Sequence, residues 1–451
     1  MNATELRAAL SLAFIYVLRM LGLFMVMPVL AILAQDYPDY SVLMVGIAIG
    51  GYGLTQAILQ IPMGMFSDKF GRKPIIIVGL LLFSLGSLIA GFADSMWMLV
   101  LGRILQGTGA IAGAIMALAA DVSRENQRPK VMAIIGIAIG FSFYLALMIG
   151  PMISNLWGLS GIFFVTAVLA ILCIFIVGFV VPSQHKSAPS GDTLPTWKDV
   201  ANLFGDKQIQ KLNISVCLLH MMITLFFMQL PVMLQQMGLM VEVQWKLYLP
   251  VLLSSIVGLT VLMGLNRKVS QKVLMLVSIL LLMIACAGLS LSTTLFAVAA
   301  FAVVFFSGFN YLEANLPAWV SSIAPAGKKG SAMGMYASFQ FFGAFLGGML
   351  AGVLNQYFSP SEVLMCAIGI LLVWTGIVFN LKSVDRYRRY TLSGVSGAAD
   401  LERLKKQLLA MPGVVDLALV AHENSVYVKA TAEFNLRQAQ QIVLDTASGQ
   451  A

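Results

Sequence analysis

Three charged side chains clearly stand well inside long apolar runs: Arg19, Arg103 and Glu313. A charge at such depth in a membrane costs ~2.5–3.5 kcal/mol on insertion scales, so each is expected to face a cavity or a partner. Glu313 is the one carboxylate of the set, and it shares a stripe with Ser307 and Asn310 at i, i+3 and i+6. Such a carboxyl can load a proton on one side of a barrier and surrender it on the other, and a bound substrate, especially a cation, would compete for its charge. A permanent ion pair of Glu313 with Arg103 or Arg19 is the structural alternative. Two more polar stripes accompany it: Asn213, Cys217, His220 and Thr224 at intervals of four, three and four, and Tyr52, Gln56 and Gln60 at intervals of four. Three stripes facing one another, with Gln340 as a further lining residue, would border an aqueous path. His220 is then a proton or substrate group, or else a satisfied packing residue. Arg103 shares a face with Gln106 and serves either the path or the bracing of its own helix through backbone carbonyls. Arg19, three residues after Tyr16, either faces the cavity or snorkels.

The elements that must hold these groups are set by composition. The chain has 451 residues, 59% hydrophobic and 11% charged, with a mean hydropathy of +0.89. Soluble domains carry about 25% charge, so a water-soluble enzyme is excluded for most of the chain. Breaks at charges, Pro and Gly clusters delimit twelve expected spans: 8–33, 42–67, 74–92, 96–120, 129–153, 159–181, 211–236, 246–265, 272–290, 294–322, 330–355 and 362–381. Most exceed the ~20 residues that cross a bilayer, as tilted helices do. Alternate connections hold twenty Lys and Arg, among them Arg7, Lys69, Arg128, Lys211 and Lys272, whereas the opposite set holds only Lys246. Positive charge marks the cytoplasmic side, so both termini are expected there. The first run lacks a small-residue cleavage site and is read as a retained span. The net charge of +8 comes from these short clusters, with no basic face interleaved with aromatics, and nucleic-acid binding is excluded. Cys173, Cys217, Cys286 and Cys366 are scattered singly, which is neither a disulfide framework nor a metal site.

The longest polar interruption, 183–210, follows the sixth span and divides the bundle into halves at 1–182 and 211–385. Internal similarity supports a duplicated six-helix unit: Phe24-Met25-Val26-Met27-Pro28-Val29 recurs as Phe227-Met228-Gln229-Leu230-Pro231-Val232 at an offset of 203, and Lys130-Val131-Met132-Ala133 resembles Ser331-Ala332-Met333-Gly334 at 201. The pairs Gly109/Gly113, Gly343/Gly347 and Gly348/Gly352 are expected to pack helices. Residues 386–451 have a different pattern. Tyr390-Thr391-Leu392 reads as a strand, and Leu401, Leu404 and Leu408 mark one helix face before Pro412-Gly413. Val415, Leu417 and Leu419 alternate; a His422-Glu423-Asn424 turn leads to Val426-Tyr427-Val428-Lys429, and Asn435 with Gln438 resembles a capping box. The order βαββα predicts a small α+β ferredoxin-like domain. It lacks Cys, so metal transfer is excluded; its sequence leaves open regulation, support of the cytoplasmic face or self-association.

The connection of spans two and three reads Gly64-Met65-Phe66-Ser67-Asp68-Lys69-Phe70-Gly71-Arg72-Lys73. Glycine allows a tight turn there, and the charges can bridge helix ends. The segment resembles the signature loop of the major facilitator superfamily; Leu101-Gly102-Arg103-Ile104-Leu105-Gln106-Gly107-Thr108-Gly109 is similar to its fourth-helix motif, and Gly150-Pro151 matches the core of its antiporter motif, although Ser154 stands where a glycine pair would follow. The chain to about residue 385 most resembles the drug:proton antiporters with twelve spans. Arg19-Met20-Leu21-Gly22, Asp121-Val122-Ser123-Arg124 and the βαββα tail resemble the YajR-type transporters. The resemblance implies a cell inner membrane protein, not an enzyme and with no cofactor, whose partners are the lipid bilayer, protons and a small amphiphilic substrate exported by alternating access. It also implies a cytoplasmic gate of Gly64, Asp68, Gly71, Arg72, Lys73 and Asp121 that holds the halves together when the cavity faces outward. No Gly-x-x-x-x-Gly-Lys-Ser/Thr loop is present, so ATP is not the expected driver. Proton-coupled uptake of a metabolite and a non-transporting sensor are the rival expectations.

Overall fold

The computed structural model describes residues 2–123, 127–182, 197–266, 268–325, 328–381, 388–393, 401–420, 425–430 and 433–447. The polar connection 183–196, Arg124, Arg267 and the expected His422-Glu423-Asn424 turn lie outside them. The first half comprises α1 (Ala3–Phe24), α2 (Met27–Leu33), α3 (Val42–Phe70), α4 (Arg72–Gly91), α5 (Met96–Thr108), α6 (Ala112–Asp121) and α7 (Arg128–Phe175). After α8 (Trp197–Phe204), the second half comprises α9 (Lys207–Gln236), α10 (Trp245–Leu265), α11 (Gln271–Ser290), α12 (Leu295–Ile323), α13 (Lys329–Leu354) and α14 (Pro360–Phe379). Eleven helical segments among the described residues are long and apolar enough to cross a membrane. One of them, Lys130–Val180, has 51 residues, more than twice what a crossing needs, and breaks at Gly158 (φ 65°, ψ −168°). It therefore supplies spans five and six, and the bundle has its twelve.

Two expected spans are interrupted. The first stops at Phe24 and resumes at Met27, where Pro28 opens the new helix. The fourth stops at Thr108 and resumes at Ala112. Gly109 and Gly113 therefore do not form one packing ridge: Gly109 lies against the Gly79 carbonyl, while a Cβ on Gly113 would meet only Gln60 Nε2, at 3.3 Å. The connection 183–210 is likewise less polar than expected. It contains α8, whose Val200 and Leu203 are buried and whose Phe204 ring lies 6.3 Å from Phe339 of α13.

Glycine sets how α13 seats between the halves. Gly343 and Gly347 lie on α9, where a Cβ would overlap the carbonyls of Cys217 and Met221. Gly348 and Gly352 lie on α3, with a Cβ on Gly348 reaching 2.7 Å from Gly46 O. From α3, Gly50 and Gly53 approach Phe345 O and Phe341 O at 2.9 and 2.7 Å in the same sense. The two halves thus meet backbone to backbone along 46–53 and 341–352, toward the end of the bundle remote from the amino terminus. Beside them Phe143 of α7 contacts Phe227 of α9 and Phe306 of α12 at 6.0 and 6.4 Å between ring centroids.

The duplication extends to the helix ends. In the first half Lys73 Nζ donates to Val181 O at 2.7 Å and Arg7 to Phe179 O at 3.4 Å. In the second, Lys272 Nζ donates to Phe379 O at 2.7 Å and Lys211 Nζ to Asn380 O. Each half thus clamps the terminal carbonyls of its last span with cations from its first and third spans, where the helix dipole is negative.

The tail folds as expected, with β1 (Arg388–Ser393), α15 (Leu401–Leu409), β2 (Val414–Val420), β3 (Ser425–Ala430) and α16 (Leu436–Ala447). The sheet is antiparallel in the order β1-β3-β2, and Asn435 Oδ1 accepts the α16 amides of Arg437 and Gln438. Its core of Leu392, Leu404, Leu408, Leu417, Val426 and Val428 is separate from that of the bundle.

Candidate functional site

Arg72, 4% exposed at the start of α4, donates through Nη1 to Ser67 Oγ (2.7 Å) and Asp68 Oδ1, and through Nε to Asp121 Oδ2 at 3.0 Å. Gly71, with φ of 95°, makes the tight turn from α3 to α4 that aims this side chain back across the helix ends, a backbone conformation that favours glycine. Gly64 takes part through its carbonyl, which accepts from Ser67 Oγ at 2.6 Å. The three expected charges therefore meet, and they tie α3, α4 and α6 within one half. Lys73 does not join them; it clamps the sixth span.

The polar stripes do not line one path in this conformation. Tyr52, Gln56 and Gln60 are at most 4% exposed and bind inside the first half. Arg19 Nη2 donates to Gln56 Oε1 (3.1 Å), Gly109 O (3.2 Å) and Tyr52 Oη (3.5 Å), and Gln56 Nε2 donates to Gln60 Oε1. Arg19 is thus neither snorkelling nor facing open space. Arg103, 2% exposed, donates through Nε to Ala48 O (3.2 Å) and through Nη1 to Gln106 Oε1 (2.7 Å), whose own amide donates to Ser87 Oγ. That is the bracing role: one guanidinium joins α5 to α3 and, through Gln106, to α4. The α12 stripe also divides. Asn310 Nδ2 donates to Tyr144 Oη and Ser255 Oγ, a bridge from α12 to α7 and α10. Thr224 is fully buried and donates to the His220 carbonyl.

Glu313 pairs with neither arginine. Its Oε2 lies 3.6 Å from His220 Nε2, and its Oε1 accepts from Gln340 Nε2 at 3.4 Å. The three side chains come from α12, α9 and α13. His220 Nδ1 lies 3.2 Å from Val216 O, a carbonyl that can only accept, so Nδ1 carries a hydrogen. In the neutral ring Nε2 is then an acceptor, and Gln340 Nε2 supplies it a donor at 2.7 Å. Glu313 Oε2 is a buried atom without a hydrogen-bond partner, facing that same ring nitrogen. No hydrogen lies between Oε2 and Nε2, 3.6 Å apart, and a proton can bridge them only where Gln340 releases the one lone pair of the ring nitrogen. The Glu313 side chain is 38% exposed, so the group also reaches open space. Gln340 was legible only as a polar residue inside a span; its junction with His220 depends on the register of α13 against α9.

A family profile described as the Major Facilitator Superfamily matches residues 12–348 and 242–421. The inner membrane transport protein YajR of Escherichia coli (strain K12) is 35% identical over 446 residues, covering 97% of this chain and 98% of that protein. The tetracycline resistance protein, class B, of Escherichia coli is 32% identical over 179 residues, 38% of this chain and 44% of its own. Among solved structures, an inward-facing, occupied bacterial homolog of the human lysosomal transporter Spinster superposes with a TM-score of 0.69 at 13% identity, covering 84% of this chain and 97% of that one.

Proposed function

The chain belongs to the major facilitator superfamily, and on that premise we propose that it exports small amphiphilic molecules from the cell in exchange for protons. The observation that carries the proposal is the Glu313–His220–Gln340 junction, where a carboxylate oxygen and an imidazole nitrogen face each other with no hydrogen between them. The group loads a proton when the cavity opens outward and releases it when the cavity opens inward. A substrate group that donates to the Glu313 carboxylate competes for the same position, which couples the two fluxes in opposite directions. Rocking of one half on the other, which closes the contact of α3 with α13 in one orientation and parts it in the other, provides alternating access. The Asp68–Arg72–Asp121 cluster serves the outward-facing state by holding the inner ends of the first half in register. The Lys and Arg bias and the likeness to an inner membrane protein support an inner membrane location with cytoplasmic termini. Likeness over part of the chain to a tetracycline resistance protein supports efflux over uptake. The polar network and the intact charge loop favour transport over sensing.

The test is Glu313→Gln in proteoliposomes, with the best stabilising ligand from a thermal-shift screen as substrate. Exchange of substrate should survive, while accumulation driven by a pH gradient should disappear. Gradient-driven accumulation at the wild-type rate would remove the proton role.

A further inference from the structure

Besides Arg72, which pairs with Asp68 and Asp121, the first half holds two more buried cations and, among the described residues, neither Arg19 nor Arg103 forms an ion pair with a carboxylate. Each is 2% exposed. They flank one ring: the Arg103 guanidinium lies over Tyr52, 4.9 Å from its centroid, and Arg19 Nη2 reaches the Tyr52 hydroxyl at 3.5 Å. Two like charges so placed in a low-dielectric interior repel, and the hydrogen bonds that satisfy Arg103 do not cancel that repulsion. Arg19 is not even satisfied. All three of its hydrogen bonds leave from Nη2, while Nε and Nη1 are buried without a partner.

Those orphan donors sit at the interruption of the fourth span. Arg19 binds Gly109 O, and Tyr16, three residues earlier, donates to Ala112 O at 2.8 Å, so α1 spans the gap between α5 and α6. α6 starts there in the bundle interior with Ile111 as its cap, which offers no side-chain acceptor to the first amides. Ala112 and Gly113 are half-buried, and a Cβ on Gly113 would meet only the Gln60 amide nitrogen, at 3.3 Å. The Arg19 guanidinium is thus joined to the break before α6 through Gly109 O and, by way of Gln56, to Gln60, whose amide nitrogen lies beside Gly113 at the positive end of that helix.

We propose that this place is an anion subsite, and that the transported molecule carries an acidic headgroup, such as a carboxylate, that Arg19 binds. The assignment rests on the transporter reading, and it concerns the substrate rather than the proton. The carboxylate supplies the partner that Nε and Nη1 lack and the negative charge that the Arg19–Tyr52–Arg103 group lacks. The acceptor at Glu313 lies in the other half and takes the opposite end of the same amphiphile. The subsite is closed in this conformation, and the break between α5 and α6 is the joint at which it opens.

The experiment uses three probes with one apolar body and different headgroups: 1-naphthoate, 1-naphthylmethanol and 1-naphthylmethylamine, with sodium acetate as the small-ion arm. Binding to the full-length purified protein is read by thermal shift and tryptophan fluorescence without any pH gradient, so a failure of proton coupling at Glu313 leaves the result intact. 1-Naphthoate should bind more than tenfold tighter than the alcohol or the amine. Arg19→Gln should remove that preference. Arg19→Lys, which keeps the charge, should retain the preference for acid over amine and guards against a folding defect in the first variant. Equal or tighter binding of the amine, or a preference for naphthoate that persists in a folded Arg19→Gln, overturns the proposal. Stabilisation by acetate alone equal to that by naphthoate assigns the site to a small ion and overturns the substrate assignment.

Discussion

Substituting Gly53 or Gly348 by Ala should shift the balance between the two cavity orientations without weakening the fold in proportion. In the present conformation a Cβ on Gly53 would stand 2.7 Å from Phe341 O and 3.0 Å from Phe345 N, and one on Gly348 would stand 2.7 Å from Gly46 O. Non-bonded carbon contacts settle near ~3.5 Å or more, so α3 and α13 must part by several tenths of an ångström. Overpacking of this kind costs about 1–3 kcal/mol. Alanine also gains about 0.8–1 kcal/mol over glycine inside a helix, but it does so in both orientations. Only the clash differs between them, and it vanishes where the halves separate at this end. The ratio of separated to closed forms should therefore rise about 5- to 150-fold, at ~1.4 kcal/mol per factor of ten. The assay is the distance between spin labels at Gln35 and Tyr357, exposed residues of the two halves at that end, in a background with the four natural cysteines replaced. Gly376→Ala, where a Cβ would meet nothing within 4 Å, is the control and should leave the distances alone. Unchanged distance distributions in both interface variants, with the proteins folded, would refute the reasoning.

Asp68→Asn and Arg72→Ala should weaken transport several-fold while insertion and purification yield stay normal, because they break the cluster joining α3, α4 and α6; wild-type flux in both would reduce these charges to topology markers. Deleting the chain from residue 388 onward should leave a monodisperse bundle on size exclusion, since the tail has its own core; aggregation of the shortened protein in a detergent that keeps the full chain soluble would make the tail part of the bundle's fold. A cysteine at Ser190, in the cysteine-free background, should resist impermeant thiol reagents in intact cells and react after permeabilisation; ready labelling of intact cells would invert the topology.

Spans, their number and the tail's element order were legible in the amino-acid sequence because each depends on local quantities. Twenty apolar residues must cross a bilayer, and alternation or a period of 3.6 assigns strand or helix within a few residues. The Asp68–Arg72 pair was legible for the same reason, as its members sit on adjacent helix ends joined by one glycine turn. Three things needed the tertiary structure. The breaks at Met25 and at 109–111 follow from packing: Gly150 presses on the Met25 backbone and Gly109 on that of Gly79, contacts between helices far apart in sequence. The polar stripes promised a shared path, yet Tyr52 and Gln56 turn to Arg19 while Asn310 turns to Tyr144, because a stripe fixes a helix face and not the neighbour it meets. Glu313 could have paired with either arginine by charge alone. That it faces His220 and Gln340 instead, leaving both arginines without a carboxylate among the described residues, was decided by the rotation and register of α9, α12 and α13, which glycine contacts set and no single helix encodes.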